Sequence, residues 1–119
     1  MRRDLKVYLW DLQKALAEIE TFIAGKTFGD YQAERMLQRA VERDFILVGE
    51  ILSQIRHYFP DTNQRTDHAR EITGLRNVLV HDYDRIKDDV VWQIITTSVP
   101  SLKIQVDAWL QELDTKPKP

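Results

Sequence analysis

Apolar residues recur at steps of three and four along almost the whole chain. Leu5, Tyr8, Leu9, Leu12, Leu16, Ile19, Phe22 and Ile23 line one face of a predicted helix from Asp4 to Ala24. Asp11, Lys14, Glu18 and Glu20 fill the other face, and Gly25 is the natural stop. In the following turn, Thr27 or Asp30 can cap the next helix. That helix is predicted from about Tyr31 to Tyr58, with a break near Gln38 dividing a short piece from a long one. Leu37, Val41, Phe45, Val48, Leu52, Ile55 and Phe59 form its stripe, which Met36, Ala40, Leu47 and Ile51 widen. A stripe this broad implies burial on more than one side, at the centre of a bundle or at a dimer seam. Gly49 in its middle costs about 1 kcal/mol against Ala, which a close helix–helix approach would explain.

Pro60 ends this helix, and residues 59–64 read as a loop. Ala69, Ile72, Leu75, Leu79 and Val80 mark a third helical segment, capped by Thr66 or Asp67, which Gly74 is predicted to kink or split. Asp82 to Arg85 reads as a turn. From Lys87 the pattern resumes through Val90, Val91, Ile94, Ile95, Val99, Leu102, Val106, Trp109, Leu110 and Leu113. Pro100 is predicted to break or kink it, with Ser98 or Val99 opening the last helix. Residues 115–119 form a polar tail. No strand alternation, repeat or low-complexity stretch intervenes. The fold class is all-α: one domain over residues 1–114, built as a bundle of four to five helices.

Composition narrows the function classes. With 43% hydrophobic and 30% charged residues, the 119-residue chain suits a soluble globular protein. It contains no Cys, so disulfides and thiolate chemistry are excluded and a reducing compartment fits. The start, Met1-Arg2-Arg3-Asp4-Leu5, has no apolar signal core, and no run approaches the roughly 20 apolar residues of a membrane span. A cytoplasmic protein without membrane contact is expected. The formal net charge of −2 excludes a strongly basic nucleic-acid coat, so any such contact must be local.

Candidate chemistry concentrates in Arg76-Asn77-Val78-Leu79-Val80-His81-Asp82-Tyr83. Imidazole moves protons near neutral pH. Guanidinium holds phosphate in a two-point fork and stabilises charge that builds in a transition state. Asn77 can orient the imidazole or bind a substrate oxygen. These parts suffice for metal-independent RNA cleavage, in which a base activates the ribose 2′-OH against the adjacent phosphate. On a helix Asn77 and His81 share a face, whereas Arg76 lies about 140° from His81 around the axis. Arg76 must wrap round, the helix must loosen, or a second copy must supply the partner across a two-fold axis. The competing structural reading is that Arg, His and Tyr near a helix end cap carbonyls and anchor a loop. Glu50 and Asp44 lie on or near the stripe and can pair with Arg39, Arg43 or Arg76. His57 and His68 are isolated, and Trp92 and Trp109 suit core or interface. The scattered His residues make no metal cluster, and no Gly-rich phosphate loop or nucleophile elbow is present. No cofactor is implied.

The eight-residue stretch matches the Arg-x4-His-x-Tyr motif and resembles the HepT-like toxins, a branch of the HEPN superfamily. Tyr8-Leu9-Trp10-Asp11-Leu12 is similar to that family's opening helix. Ala40-Val41 and Val48-Gly49-Glu50 are similar to its central helix, and Val91-Trp92 and Val99-Pro100-Ser101-Leu102 to later segments. Together these cover most of residues 5–110. Ile51 departs from the family's usual Ala, and Thr66-Asp67-His68 from the Trp that many members carry. The resemblance implies a symmetric dimer whose motif helices line a shared RNA-cleaving cleft, with Arg76 and His81 as the catalytic pair and Asn77 assisting. It also implies a partner, an MNT-type nucleotidyltransferase antitoxin that transfers AMP onto Tyr83, with higher-order assembly possible. The rival is a non-catalytic helical module that positions a nucleotidyltransferase. Convergence of Arg65, Arg70, Arg76 and Arg85 near His81 would favour the enzyme, and neutralisation by acids would favour the module.

Overall fold

The computed structural model describes residues 4–62 and 66–115. Helix α1, Leu5–Ile23, starts where the Asp4 side chain accepts a hydrogen bond from the Lys6 amide. It stops where Gly25 turns back at φ +73°, a left-handed conformation that a side chain would penalise. Helix α2, Phe28–Ala33, is opened by a reciprocal cap: the Thr27 hydroxyl accepts from the Asp30 amide, and the Asp30 carboxylate accepts from the Thr27 amide. The Asp30 carboxylate is held below the usual acid range by these bonds.

Helix α3, Arg35–Tyr58, begins earlier than the sequence pattern suggests, because the chain breaks at Glu34 and not near Gln38. Gln38 has the opposite role. Its buried amide donates to the carbonyls of Tyr31 and Gln32, which the end of α2 leaves open, and so bolts α2 to α3. Helix α3 runs on to Tyr58, and Pro60 opens a short 3-10 turn, Pro60–Thr62.

Helix α4, Ala69–His81, passes through Gly74 without a break. Gly74 has open space around it and a helical φ, so the expected kink is absent. The N-cap is His68, not Thr66 or Asp67. Asp67 instead exchanges two hydrogen bonds with Gln105, tying the preceding loop to the last helix. After a 3-10 turn, Tyr83–Arg85, helix α5, Asp88–Gln93, flows into helix α6, Val99–Thr115, through one wide π turn, Ile94–Ser98. The helical regularity is interrupted just before Pro100, as expected, and α6 opens at Val99 with Pro100 as its second residue, but the interruption is a π turn and not a loop. An α-helical proline would clash with the carbonyl four residues earlier, here Thr96, and the π turn widens the backbone there.

Helix α3 is the hub, packed against α1 on one side and α4 on the other, while α6 closes over α1. This explains the broad stripe: Leu37, Val41, Phe45, Val48, Ile51, Leu52 and Ile55 are all buried. Met36 and Leu47 lie outside it, at 88% and 39% exposure. Phe28 and Tyr31 lie against Trp92, joining α2 to α5, and Trp109 is buried in the core. All the regular elements among the described residues are helical, so the fold is the expected all-α bundle. No helix among them is long and apolar enough to cross a membrane. Of the tail, residues 116–119 lie outside the described residues.

Candidate active site

The seam between α3 and α4 positions the motif. Gly49 faces the root of Arg76 so closely that a Cβ at residue 49 would sit 2.4 Å from the Arg76 Cβ and 2.8 Å from its Cγ. Such separations are well below contact distance, so only glycine permits this crossing. The close approach lays the Arg76 side chain along α3, where Nη2 donates to the Glu50 carboxylate at 2.9 Å. Nη1 donates to the Asn77 side-chain oxygen at 3.0 Å. The Nε–H is buried and, among the described residues, has no protein acceptor. Buried donors are seldom left unmet, and exceptions concentrate where a ligand or a rearrangement supplies the partner.

His81 occupies the last residue of α4 and is exposed. The Asp82 amide, not a side chain of the motif, closes the helix by donating to the Val78 carbonyl. Tyr83 follows in the 3-10 turn with 75% of its surface exposed. The structure thus brings Arg76, Asn77 and Glu50 together and leaves His81 and Tyr83 exposed at and just beyond the end of α4. Arg76 is engaged by α3 and by its own neighbour, and among the described residues no hydrogen bond joins it to His81.

Asp44 behaves differently from what its sequence position suggests. Among the described residues it forms no ion pair with an arginine and instead meets Glu18 of α1. Burial first, then the hydrogen bond and charge of Glu18, push its carboxyl up to about 7, against a small opposing pull from Arg43. Asp44 and Glu50 both line a cavity of about 510 Å3 between α1 and α3, which Tyr8, Lys14 and Leu47 also border. Arg39 pairs with Glu42 at 2.6 Å along α3. Sequence reasoning missed the roles of Glu18 and Glu42. The signal for Glu42 was present: Gln38, Glu42 and Gly49 follow the same helical period as the apolar stripe, which places polar groups on an inward face.

Among the described residues Arg70 stays apart from the motif. Arg70 stands at the opposite end of α4, roughly 16 Å along the axis from His81. Arg85 lies in the turn after the motif, beside Glu71 and Lys87. Arg65 is outside the described residues. Among the described residues no group of three His, Cys, Asp or Glu side chains is placed to hold a metal ion.

Comparison with known proteins bears on this geometry. The family model described as Ribonuclease HepT-like matches residues 12–109. A Thermococcus cleftensis protein named as a probable ribonuclease HepT is 31% identical over 103 residues, covering 87% of this chain and 93% of the relative. A Methanocaldococcus jannaschii protein named as a candidate RNase is 28% identical over 110 residues, covering 89% and 96%. Another from the same organism, whose name joins gamma-glutamylcyclotransferase to a candidate RNase, is 27% identical over 116 residues, and the chain spans 51% of it. No solved structure matches the chain. With the match running from the first helix to the last, the chain belongs to the HepT-like family and is a ribonuclease of the HEPN type.

Proposed function

We propose that the Arg76–His81 segment is one half of an RNA-cleaving site and that a second copy of the chain completes it. His81 exchanges the proton of the ribose 2′-OH or of the leaving oxygen. Arg76 binds the scissile phosphate, and Asn77 steadies Arg76 or the substrate. The observation that carries this reading is the Arg76 side chain itself. It is packed into place by Gly49, yet its Nε–H lacks a protein acceptor among the described residues. A phosphate oxygen would supply one after a small reorientation of the guanidinium. Val80, one turn after Arg76 on the same face of α4, is 42% exposed and gives a two-fold contact an apolar anchor. His81→Ala and Arg76→Ala should each lower RNA cleavage at least a hundredfold while leaving the far-ultraviolet circular dichroism unchanged. Cleavage retained by both purified variants would remove the assignment.

In this reading the protein is the cytoplasmic toxin of a toxin–antitoxin pair, and Tyr83 is its off switch. The exposed phenol is open to a nucleotidyltransferase of the MNT type. An AMP group there would set an anion beside Arg76 and His81 and repel RNA. Incubation with that partner and ATP should add one or more adenylyl groups to the intact mass, and Tyr83→Phe should stay unmodified. An unchanged mass with an active partner would count against the switch. One observation favours the rival, a non-catalytic module that positions the nucleotidyltransferase: Glu50 already neutralises Arg76. The two readings part on the His81 variant, since a module keeps its partner binding and has no cleavage to lose.

A further inference from the structure

A second recess lies against the motif and has no role in the reading above. It has a volume of about 280 Å3 and is lined by Arg39, Glu42, Ile46, Leu79, Tyr83 and Ile86. Tyr83 lies two residues after His81, so the recess adjoins the C-terminal end of the motif, although His81 itself does not line it. Ile46 lies one helical turn before Glu50 on α3, so its other end runs toward the Glu50–Arg76 pair. Its walls are apolar: Leu79 is buried, and Ile46 and Ile86 are half-buried. Its rim is the exposed ring of Tyr83. At one end stands a donor and acceptor pair, the Arg39 guanidinium and the Glu42 carboxylate, with side-chain exposures of 56% and 12%.

We propose that this recess is a nucleobase subsite that takes one unstacked base of the RNA next to the bond being cut. The inference rests on the ribonuclease reading and adds the part of the site that selects sequence. Its size is just below that of drug-sized ligand sites, which suits a single planar ring system. Single-stranded RNA is read by splaying a base out, stacking it on an aromatic side chain and hydrogen-bonding its edge. Tyr83 offers the stacking face, the isoleucine and leucine walls exclude water, and Arg39 and Glu42 present donors and an acceptor to the edge. Arg39 and Glu42 bond each other at 2.6 Å, and the guanidinium N–H groups and the carboxylate oxygen left over from that bond are what a base edge would meet and a purely apolar occupant would not use. Tyr83 then serves substrate binding as well as modification, and an adenylyl group on its oxygen would block the recess along with the phosphate site.

The test uses the full chain and short single-stranded RNAs made non-cleavable by 2′-O-methylation, one homopolymer for each base. Wild type should prefer one base. Arg39→Ala and Ile46→Ala should weaken binding of that probe roughly tenfold and flatten the preference, in line with the loss of part of one stacking and edge contact. On cleavable RNA both should raise KM by a similar factor and leave kcat within about twofold. Arg39 is an exposed side chain, so its variant should fold as wild type does. Unchanged binding in both variants, or no base preference in wild type, would overturn the subsite. A changed oligomeric mass of Arg39→Ala with unchanged probe binding would overturn it in favour of a protein contact. If wild type cuts no RNA, the ribonuclease reading fails on its own. The probe still reports on the recess through the methyl NMR signals of Ile46, Leu79 and Ile86, whose failure to shift overturns the subsite.

Discussion

Asp44 and Glu50 stand less than two turns apart on the same helix, and both border the cavity between α1 and α3. Asp44 meets another acid, Glu18, and keeps its proton to about neutral pH. Glu50 meets the guanidinium of Arg76 and forms a part-exposed ion pair. One carboxyl is accommodated by a proton and the other by a countercharge. The first arrangement answers to pH and the second to salt. Helix α3 therefore presents a pH-sensitive seam to α1 and a charge-paired seam to α4, and only the second carries the motif.

The largest effect should come from closing the gap that makes the second seam possible. Gly49→Val would drive methyl groups into the Arg76 Cβ and Cγ and force α3 and α4 apart. It should cost about 3 kcal/mol or more in urea unfolding, at the upper end for overpacked cores. A loss below about 0.5 kcal/mol would mean that the helices do not cross there.

The first seam is probed by pH. The Asp44 carboxyl has a folded pKa above its unfolded one, so the native state holds the proton more tightly. Its stabilising contribution is full below about 4, the ordinary carboxylate value, and is lost as pH rises to about 7. Between pH 5 and pH 8 it should remove about 2 kcal/mol from the unfolding free energy. Asp44→Asn, which cannot ionise, should flatten that slope. A variant with the wild-type slope would show that Glu18 and Asp44 do not share a proton.

The smallest effect belongs to Glu50→Gln. Because the pair is part-exposed, its loss should cost under about 1 kcal/mol of stability, and less in high salt. Its consequence for turnover should be clearer: Arg76 loses its positioning partner, and kcat should fall about tenfold. A rise in kcat would show that Glu50 competes with substrate for the guanidinium.

Much of this architecture is legible along the chain, and the exceptions share a cause. The apolar stripe of α3 and the tight approach at Gly49 follow from periodicity and from the helix cost of glycine. The motif on α4 is local, so it survives translation into structure. What the pattern misplaces depends on groups distant in sequence or on backbone repair. Gln38 marks a junction because its amide reaches back to the carbonyls of Tyr31 and Gln32. Asp44 sits among nearby arginines in sequence, but its contact is Glu18 on another helix. Gly74 does not break α4, because tertiary packing through Ile72, Leu75 and Leu79 outweighs a propensity cost of about 1 kcal/mol. Arg70 does not join the motif, because Arg70 and His81 stand at opposite ends of the same rod.

The π turn between α5 and α6 has a consequence for how the chain tolerates changes in length. It holds one residue more than the corresponding α-helical turn and sits where Pro100 needs the room. Deleting that residue while keeping the proline would bring ring and carbonyl together. Keeping the residue while replacing the proline would leave an unneeded bulge free to relax, which would turn α6 by about 100° against α1. Proline and extra residue therefore form a linked pair, and a relative that lacks Pro100 should be one residue shorter at this point.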